Sequence, residues 1–123
     1  MLHTLEATHM KLYQVSKDAK DAREQGRIIL AHGEVTGHCH EIVSETGTIP
    51  PAQFFEEPGG RRVLLATERC LLRHDEHDLI VLDPAAPAQI RQGDVLLNPI
   101  GAGAWEVIRQ REYSPEAIRQ VAD

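Results

Sequence analysis

Two histidine-containing segments hold the residues of this chain whose types and spacing could do chemistry. The first is Gly37-His38-Cys39-His40, and the second is His74-Asp75-Glu76-His77. In an extended strand, side chains alternate between the two faces, so we expect both histidines of the first segment on one face and the cysteine on the other. Two imidazoles on one face, joined by two more from across a sheet, would form a divalent transition-metal site. The predicted ligands are His38, His40, His74 and His77.

The ligand types narrow the choice of metal without fixing it. Zinc is the default for an imidazole-rich site, and nickel, manganese and iron are alternatives. Three histidines and an open coordination position would allow hydrolysis by a metal-bound hydroxide. We predict Glu34, Glu76 and Glu112 as candidates for the general base or for orienting a histidine, and Arg111 as the residue that holds a substrate. For the second histidine segment alone, a solvated hairpin tip is an equally good interpretation.

A polar stretch, Arg109-Gln110-Arg111-Glu112-Tyr113, follows the last apolar run. Its two arginines share one face of a strand and could hold a phosphate or a carboxylate. The alternative is a set of salt bridges that tie the last strand to a terminal helix through Glu116 and Arg119. The residues favour this second, structural interpretation.

Length and charge limit the classes of protein that fit. The 123 residues suffice for one domain, so we assign residues 1–123 to a single domain. A net charge of −6 makes nucleic-acid binding unlikely. There is no apolar run of about 20 residues, so we expect no membrane helix. Residues 1–6 do not resemble a signal peptide, which predicts a cytoplasmic protein.

Cysteine usage agrees with that compartment. We expect Cys39 and Cys70 to be free thiols in the core rather than a disulfide. The small-molecule or protein partner is unknown from the sequence, and a homo-oligomer is compatible with it.

Short apolar runs separated by turn residues predict an all-β fold, either a small barrel or a two-sheet sandwich. We predict strands over 11–16, 27–31, 38–43, 61–66, 70–73, 79–82, 94–97 and 105–111. The charges in residues 17–26 predict an exposed helix or a loop. We expect residues 1–10 to be a mobile start. Ser114-Pro115-Glu116 is typical of a helix N-terminus, so a short C-terminal helix should cover residues 115–121.

Three motifs in this order resemble a family of small uncharacterised proteins from bacteria and their phages. They are residues 33–40 (GEVTGHCH), residues 74–77 (HDEH) and residues 109–116 (RQREYSPE). The family's Gly-Asp-Val-Leu-Leu strand lies near the start of its members, whereas here it is Gly93 to Leu97. The resemblance implies an uncharacterised family and no established activity. The spacing also invites comparison with cupins, but the second cupin motif is absent.

Two functions remain open from the sequence. The first is a metal-binding β protein that acts as a metal-dependent hydrolase. The second is a non-enzymatic, phage-derived structural or protein-interaction module, in which the metal or the polar cluster only stabilises the fold. An open coordination position beside a pocket with acid and arginine would favour the first, and a closed four-ligand site the second.

Overall fold

A computed structural model describes residues 11–33 and 37–110, which form ten β-strands and no helix. The strands are β1 (Lys20–Asp21), β2 (Ile28–His32), β3 (Cys39–Val43), β4 (Ala52–Glu56), β5 (Arg62–Ala66), β6 (Cys70–His74), β7 (His77–Leu82), β8 (Ile90–Gln92), β9 (Val95–Gly101) and β10 (Ala104–Arg109). The predicted all-β class is confirmed. The predicted mobile start and the predicted C-terminal helix both lie outside the described residues.

The strands pair into two antiparallel sheets. One sheet has six strands in the order β1-β4-β5-β10-β9-β8, and the other has four in the order β2-β3-β6-β7. Both sheets contribute to one hydrophobic core, with Ile42 and Leu72 from the four-stranded sheet packing in the same cluster as Phe54, Leu97 and Trp105 from the six-stranded sheet. Of the two predicted architectures, the structure therefore has two packed sheets rather than a closed barrel. No helix in the described ranges has the length and apolar character needed to cross a membrane.

The N-terminal part of the structure differs from the prediction. Residues 11–16 alternate in polarity but form no strand, so the prediction of a strand there is wrong. The Tyr13 hydroxyl donates to Glu57 Oε1 at 2.6 Å, and the Ser16 N–H donates to Glu57 Oε2 at 2.8 Å. Residues 17–27 contain a turn, β1 and an isolated bridge between Glu24 and Arg27. Strand β4, which sequence analysis missed, follows two prolines and pairs with both β1 and β5.

The two cysteines are free and differ in position. Cys70 is fully buried in the core as predicted, and burial raises the pKa of its thiol to about 11. Cys39 is only half-buried, on the side of β3 that faces away from the core, so its predicted core position is wrong. Its sulfur lies 3.9 Å from Arg27 Nη2.

The β6–β7 hairpin has an irregular register. Leu72 lies opposite Ile80, but the next partners are His74 and His77, because β7 has one extra residue at this point. The turn between the strands consists of Asp75 and Glu76. Directly opposed residues of an antiparallel pair project from the same face. The hairpin therefore presents two imidazoles side by side at its tip.

Candidate metal centre

Three histidines meet where the tip of the β6–β7 hairpin approaches strand β3. His40, His74 and His77 each offer a ring nitrogen, and these nitrogens all lie within 4.8 Å of one another. The centroid of the His74 ring lies 4.3 Å from that of His40 and 4.8 Å from that of His77. His40 is buried, with 3% of its surface exposed, whereas His77 is exposed. The cluster could hold a metal ion and is open to solvent on the His77 side.

Gln92 fixes the orientation of the buried imidazole. Its Nε2 donates to the carbonyl oxygens of Leu72 at 3.1 Å and Asp78 at 2.9 Å, so its Oε1 must be the acceptor on the other side. That oxygen lies 2.8 Å from His40 Nδ1. His40 Nδ1–H therefore donates to Gln92, which leaves Nε2 as the nitrogen that could bind a metal. Metal-bound histidines have this arrangement, with the second ring nitrogen donating to a protein oxygen.

An aspartate lies on the Nε2 side of His40. Asp94 Oδ1 is 3.3 Å from His40 Nε2, and Asp94 Oδ2 accepts from Arg109 Nε at 2.9 Å. Burial opposes ionisation of this carboxyl, but the hydrogen bond and charge of Arg109 outweigh it and lower the pKa of Asp94. Arg109 also donates to the His32 carbonyl oxygen. The carboxylate is thus ionised at neutral pH and held in place.

His74 has a competing hydrogen bond. The Glu76 N–H donates to His74 Nδ1 at 3.0 Å. Desolvation, and then the neighbouring charges of His40 and His77, lower the pKa of His74, so this ring is neutral at neutral pH. If Nδ1 bound a metal, its lone pair would no longer accept from Glu76. If Nε2 bound it, the proton would move to Nδ1, with the same result. Ligation by His74 therefore requires this hydrogen bond to break.

The turn between β8 and β9 closes the cluster on one side. Gly93 has a φ of +60°, a backbone conformation that glycine adopts readily. A Cβ atom at this position would lie 2.9 Å from His77 Nε2 and 3.3 Å from His40 Cε1. The glycine therefore allows the backbone of the turn to approach the imidazoles closely.

His38, the fourth predicted ligand, lies at the rim with carboxylates around it. Its Nδ1 is 3.0 Å from Glu76 Oε1, and its Nε2 is 3.5 Å from Asp75 Oδ2. His38 precedes β3, and its ring centroid is 6.1 Å from that of His74. The structure thus brings together three of the four predicted ligands and pairs His38 with Glu76, which was a predicted base.

The other predicted catalytic residues, Glu34, Glu112 and Arg111, lie outside the described residues. Arg109, predicted to hold an anion or to form structural salt bridges, pairs with Asp94. Sequence analysis did not select Gln92, Gly93 or Asp94 for the site. A Gly-Asp pair after a short strand is a turn signal, but it does not reveal which distant side chains the turn will contact.

Comparison with known proteins identifies a family without a function. A family described as a domain of unknown function (DUF8820) matches residues 3–85. The match includes the first two histidine motifs and agrees with the predicted uncharacterised family, whereas residues 109–116 lie beyond it. No curated protein matches the chain, and no solved structure matches it.

Proposed function

Since the chain belongs to the DUF8820 family, whose description assigns no activity, we propose from the site alone that the protein binds a divalent transition-metal ion through His40, His74 and His77. The observation that carries the proposal is the convergence of three imidazole nitrogens around a buried, oriented His40. Zinc is the first candidate, with nickel, manganese and iron as alternatives.

Protonation at the cluster supports this proposal. His40 Nδ1–H donates to Gln92, and the lowered pKa of His74 leaves that ring neutral at neutral pH. Neutral imidazoles are the form that binds metals. The three nitrogens are somewhat further apart than in a bound site, where ligand atoms about 2.1 Å from the ion would lie roughly 3.0–3.4 Å apart. Rotation of the His74 and His77 side chains at the hairpin tip would close this difference.

The test is a metal-binding measurement on the purified chain. After chelator treatment, zinc binding is measured by calorimetry and metal content by elemental analysis, for the wild type and for His40→Ala and His77→Ala. We expect one ion per chain. Each substitution should weaken binding about 100-fold or more, since even losing a residue that only orients a ligand costs about 10–100-fold.

His38→Ala is the matched control. His38 is a half-buried histidine of the same strand region, paired with Glu76 and Asp75 rather than with the other imidazoles. Its removal should change zinc affinity by less than about threefold, against the 10–100-fold scale expected for the site. Wild-type protein that binds no metal, or equal affinity in all three variants and the wild type, would refute the proposal.

Two finer functions follow from the same centre. The exposed side of His77 would admit a water to an open position, which is what a metal-dependent hydrolase needs. In the alternative, the ion only stabilises the junction between the β6–β7 hairpin and β3. Hydrolysis of activated ester and phosphoester substrates by zinc-loaded protein, compared with His77→Ala, separates the two. Activity lost in the variant supports the hydrolase, and a change in thermal stability alone supports the stabilising role.

A further inference from the structure

We propose that Asp94 supplies a fourth, anionic ligand to the ion, through Oδ1. This inference rests on the proposed metal binding by His40, His74 and His77. It adds to the imidazoles a residue from the β8–β9 turn of the six-stranded sheet, so that the ion would join the two sheets of the fold.

The first argument is distance. Asp94 Oδ1 lies 3.3 Å from His40 Nε2. Two ligand atoms on one ion, each about 2.1 Å from it, are separated by roughly 3.0 Å at octahedral angles and roughly 3.4 Å at tetrahedral angles. The carboxylate oxygen and the imidazole nitrogen are thus already spaced as two ligands of one metal.

The second argument is the position of protons. Because Gln92 Oε1 takes the Nδ1 proton of His40, a neutral His40 has an unprotonated Nε2. Its lone pair then faces a carboxylate oxygen, which is also an acceptor. A proton on Nε2 would join the two atoms as an ion pair, and a metal ion could take the place of that proton. A divalent ion would bridge them while also binding the nitrogens of His74 and His77.

The third argument is that the two carboxylate oxygens of Asp94 have different partners. Oδ2 is held by Arg109, whose guanidinium is in turn held by the His32 carbonyl oxygen. Oδ1 remains directed at the histidines. A carboxylate held through one oxygen loses little conformational entropy when the other binds a metal. Arg109 also balances its negative charge, so that the centre carries no uncompensated anion before the ion binds.

An aspartate ligand would change what the centre can do. With four protein ligands, a tetrahedral zinc ion has no open position, which favours the stabilising role. A six-coordinate manganese or iron ion would keep two positions open. With this set of nitrogen and oxygen ligands, the choice between a hydrolase and a stabilising ion would therefore depend on which metal is bound.

The experiment compares Asp94→Asn with Asp78→Asn. Asp78 is an exposed aspartate next to His77, so both variants remove one negative charge near the histidines, but only the first removes the proposed ligand. Zinc affinity is measured by competition with a chromophoric chelator, and Co²⁺ absorption reports the ligand geometry. We expect Asp94→Asn to weaken zinc binding by about 10–100-fold and to alter the cobalt spectrum. Asp78→Asn should change affinity by less than about threefold, the range of a screened surface charge.

Asp94→Glu provides a second variant if the asparagine protein folds poorly. It keeps the charge but moves the oxygens by one methylene, so affinity should fall while the protein still binds metal. The inference is overturned if Asp94→Asn and Asp78→Asn have equal affinities and the cobalt spectrum is unchanged. If His40→Ala nevertheless abolishes zinc binding, the proposed metal binding by the histidines stands without Asp94 as a ligand. If the wild type binds no metal, both fall.

Discussion

His40 and Glu41 are neighbours on β3, yet their side chains lie on opposite faces of the strand and have different kinds of polar partners. Glu41 points away from the core, where its carboxylate accepts from Arg27 at 2.8 Å and 3.0 Å and from Arg73 at 3.0 Å. Its side chain is 9% exposed, and both oxygens have cationic partners. His40 points inward, toward two more imidazoles and a carboxylate. One face of the strand therefore has a complete set of ion pairs, and the other brings three imidazoles together beside a carboxylate.

The difference separates a group that serves stability from a group available for binding. The carboxylate of Glu41 is already paired with two arginines and is not available to bind a ligand, although glutamate is a residue type that enzymes use in catalysis. The nitrogens of His40, His74 and His77 instead converge on one another, so that a cation could bind between them. Four predictions test this contrast, and the first has the largest expected effect.

Metal should stabilise the protein through the histidine side of β3 alone. Zinc at about 1,000 times its dissociation constant should raise the free energy of unfolding by about 4 kcal/mol. For a domain of this size, that corresponds to a rise in Tm of roughly 15 °C. Thermal denaturation with zinc or with a chelator measures the shift. His77→Ala should abolish it, and a Tm that does not respond to zinc would contradict the contrast.

Removing the charge of Glu41 should destabilise the protein without affecting metal binding. Glu41→Gln loses charge-assisted hydrogen bonds and leaves Arg27 and Arg73 side by side. Because both guanidinium groups are about half-exposed, we expect a loss of about 1–2 kcal/mol in the free energy of unfolding. Urea denaturation measures it, and zinc affinity is the control. A large change in that affinity would mean that the two faces are coupled.

The same substitution gives a pH test. The hydrogen bonds of Arg27 lower the pKa of Glu41, burial opposes them, and Arg73 adds to the lowering. A depressed pKa in the folded state stabilises the protein above the ordinary value of 4.5 and ceases to do so as the pH falls through the folded-state value. The difference in stability between wild type and Glu41→Gln should therefore be constant near neutral pH and shrink below pH 4.5. A difference that does not depend on pH would exclude the ion pairs as its cause.

The smallest effect concerns a single hydrogen bond at the hairpin tip. Because ligation by His74 through either nitrogen breaks its bond with the Glu76 N–H, metal binding should shift that amide resonance and speed its hydrogen exchange. The Gly60 N–H, which donates to the Glu57 carbonyl oxygen in a distant turn, is the matched control. An unchanged Glu76 amide in metal-loaded protein would show that His74 is not a ligand.

The strand pattern made the all-β fold and three of the converging histidines predictable. Period-two alternation predicted that Cys39 and His40 face opposite sides of the strand, but it assigned the core side to Cys39, whereas His40 is the buried residue. The polarity of residues 74–77 predicted the hairpin tip. The same alternation grouped His38 with His40, but β3 begins at Cys39, and His38 lies where the hairpin turn offers it carboxylates. Local pattern does not describe the partners that a residue finds across a turn.

The contacts from the six-stranded sheet could not be predicted from the sequence. Gln92, Gly93 and Asp94 reach the histidines because β8 lies at the edge of its sheet, beside β7. This proximity depends on how the sheets pack, and packing leaves no local sequence signal. The Glu41 ion pairs were missed because they depend on strand pairing within the four-stranded sheet: Arg27 directly precedes β2, and Arg73 lies opposite Glu41 on β6.

The extra residue in β7 determines which chemical elements the hairpin offers to an ion. If the pairing of Leu72 with Ile80 continued regularly, His74 would lie opposite Asp78 instead of His77. The tip would then present one nitrogen and one carboxylate oxygen, a combination better suited to harder cations. The irregular register thus places an imidazole rather than an acid opposite His74. If the centre binds a cation as proposed, its preference among cations would depend on the alignment of two backbones as much as on the amino acids that they carry.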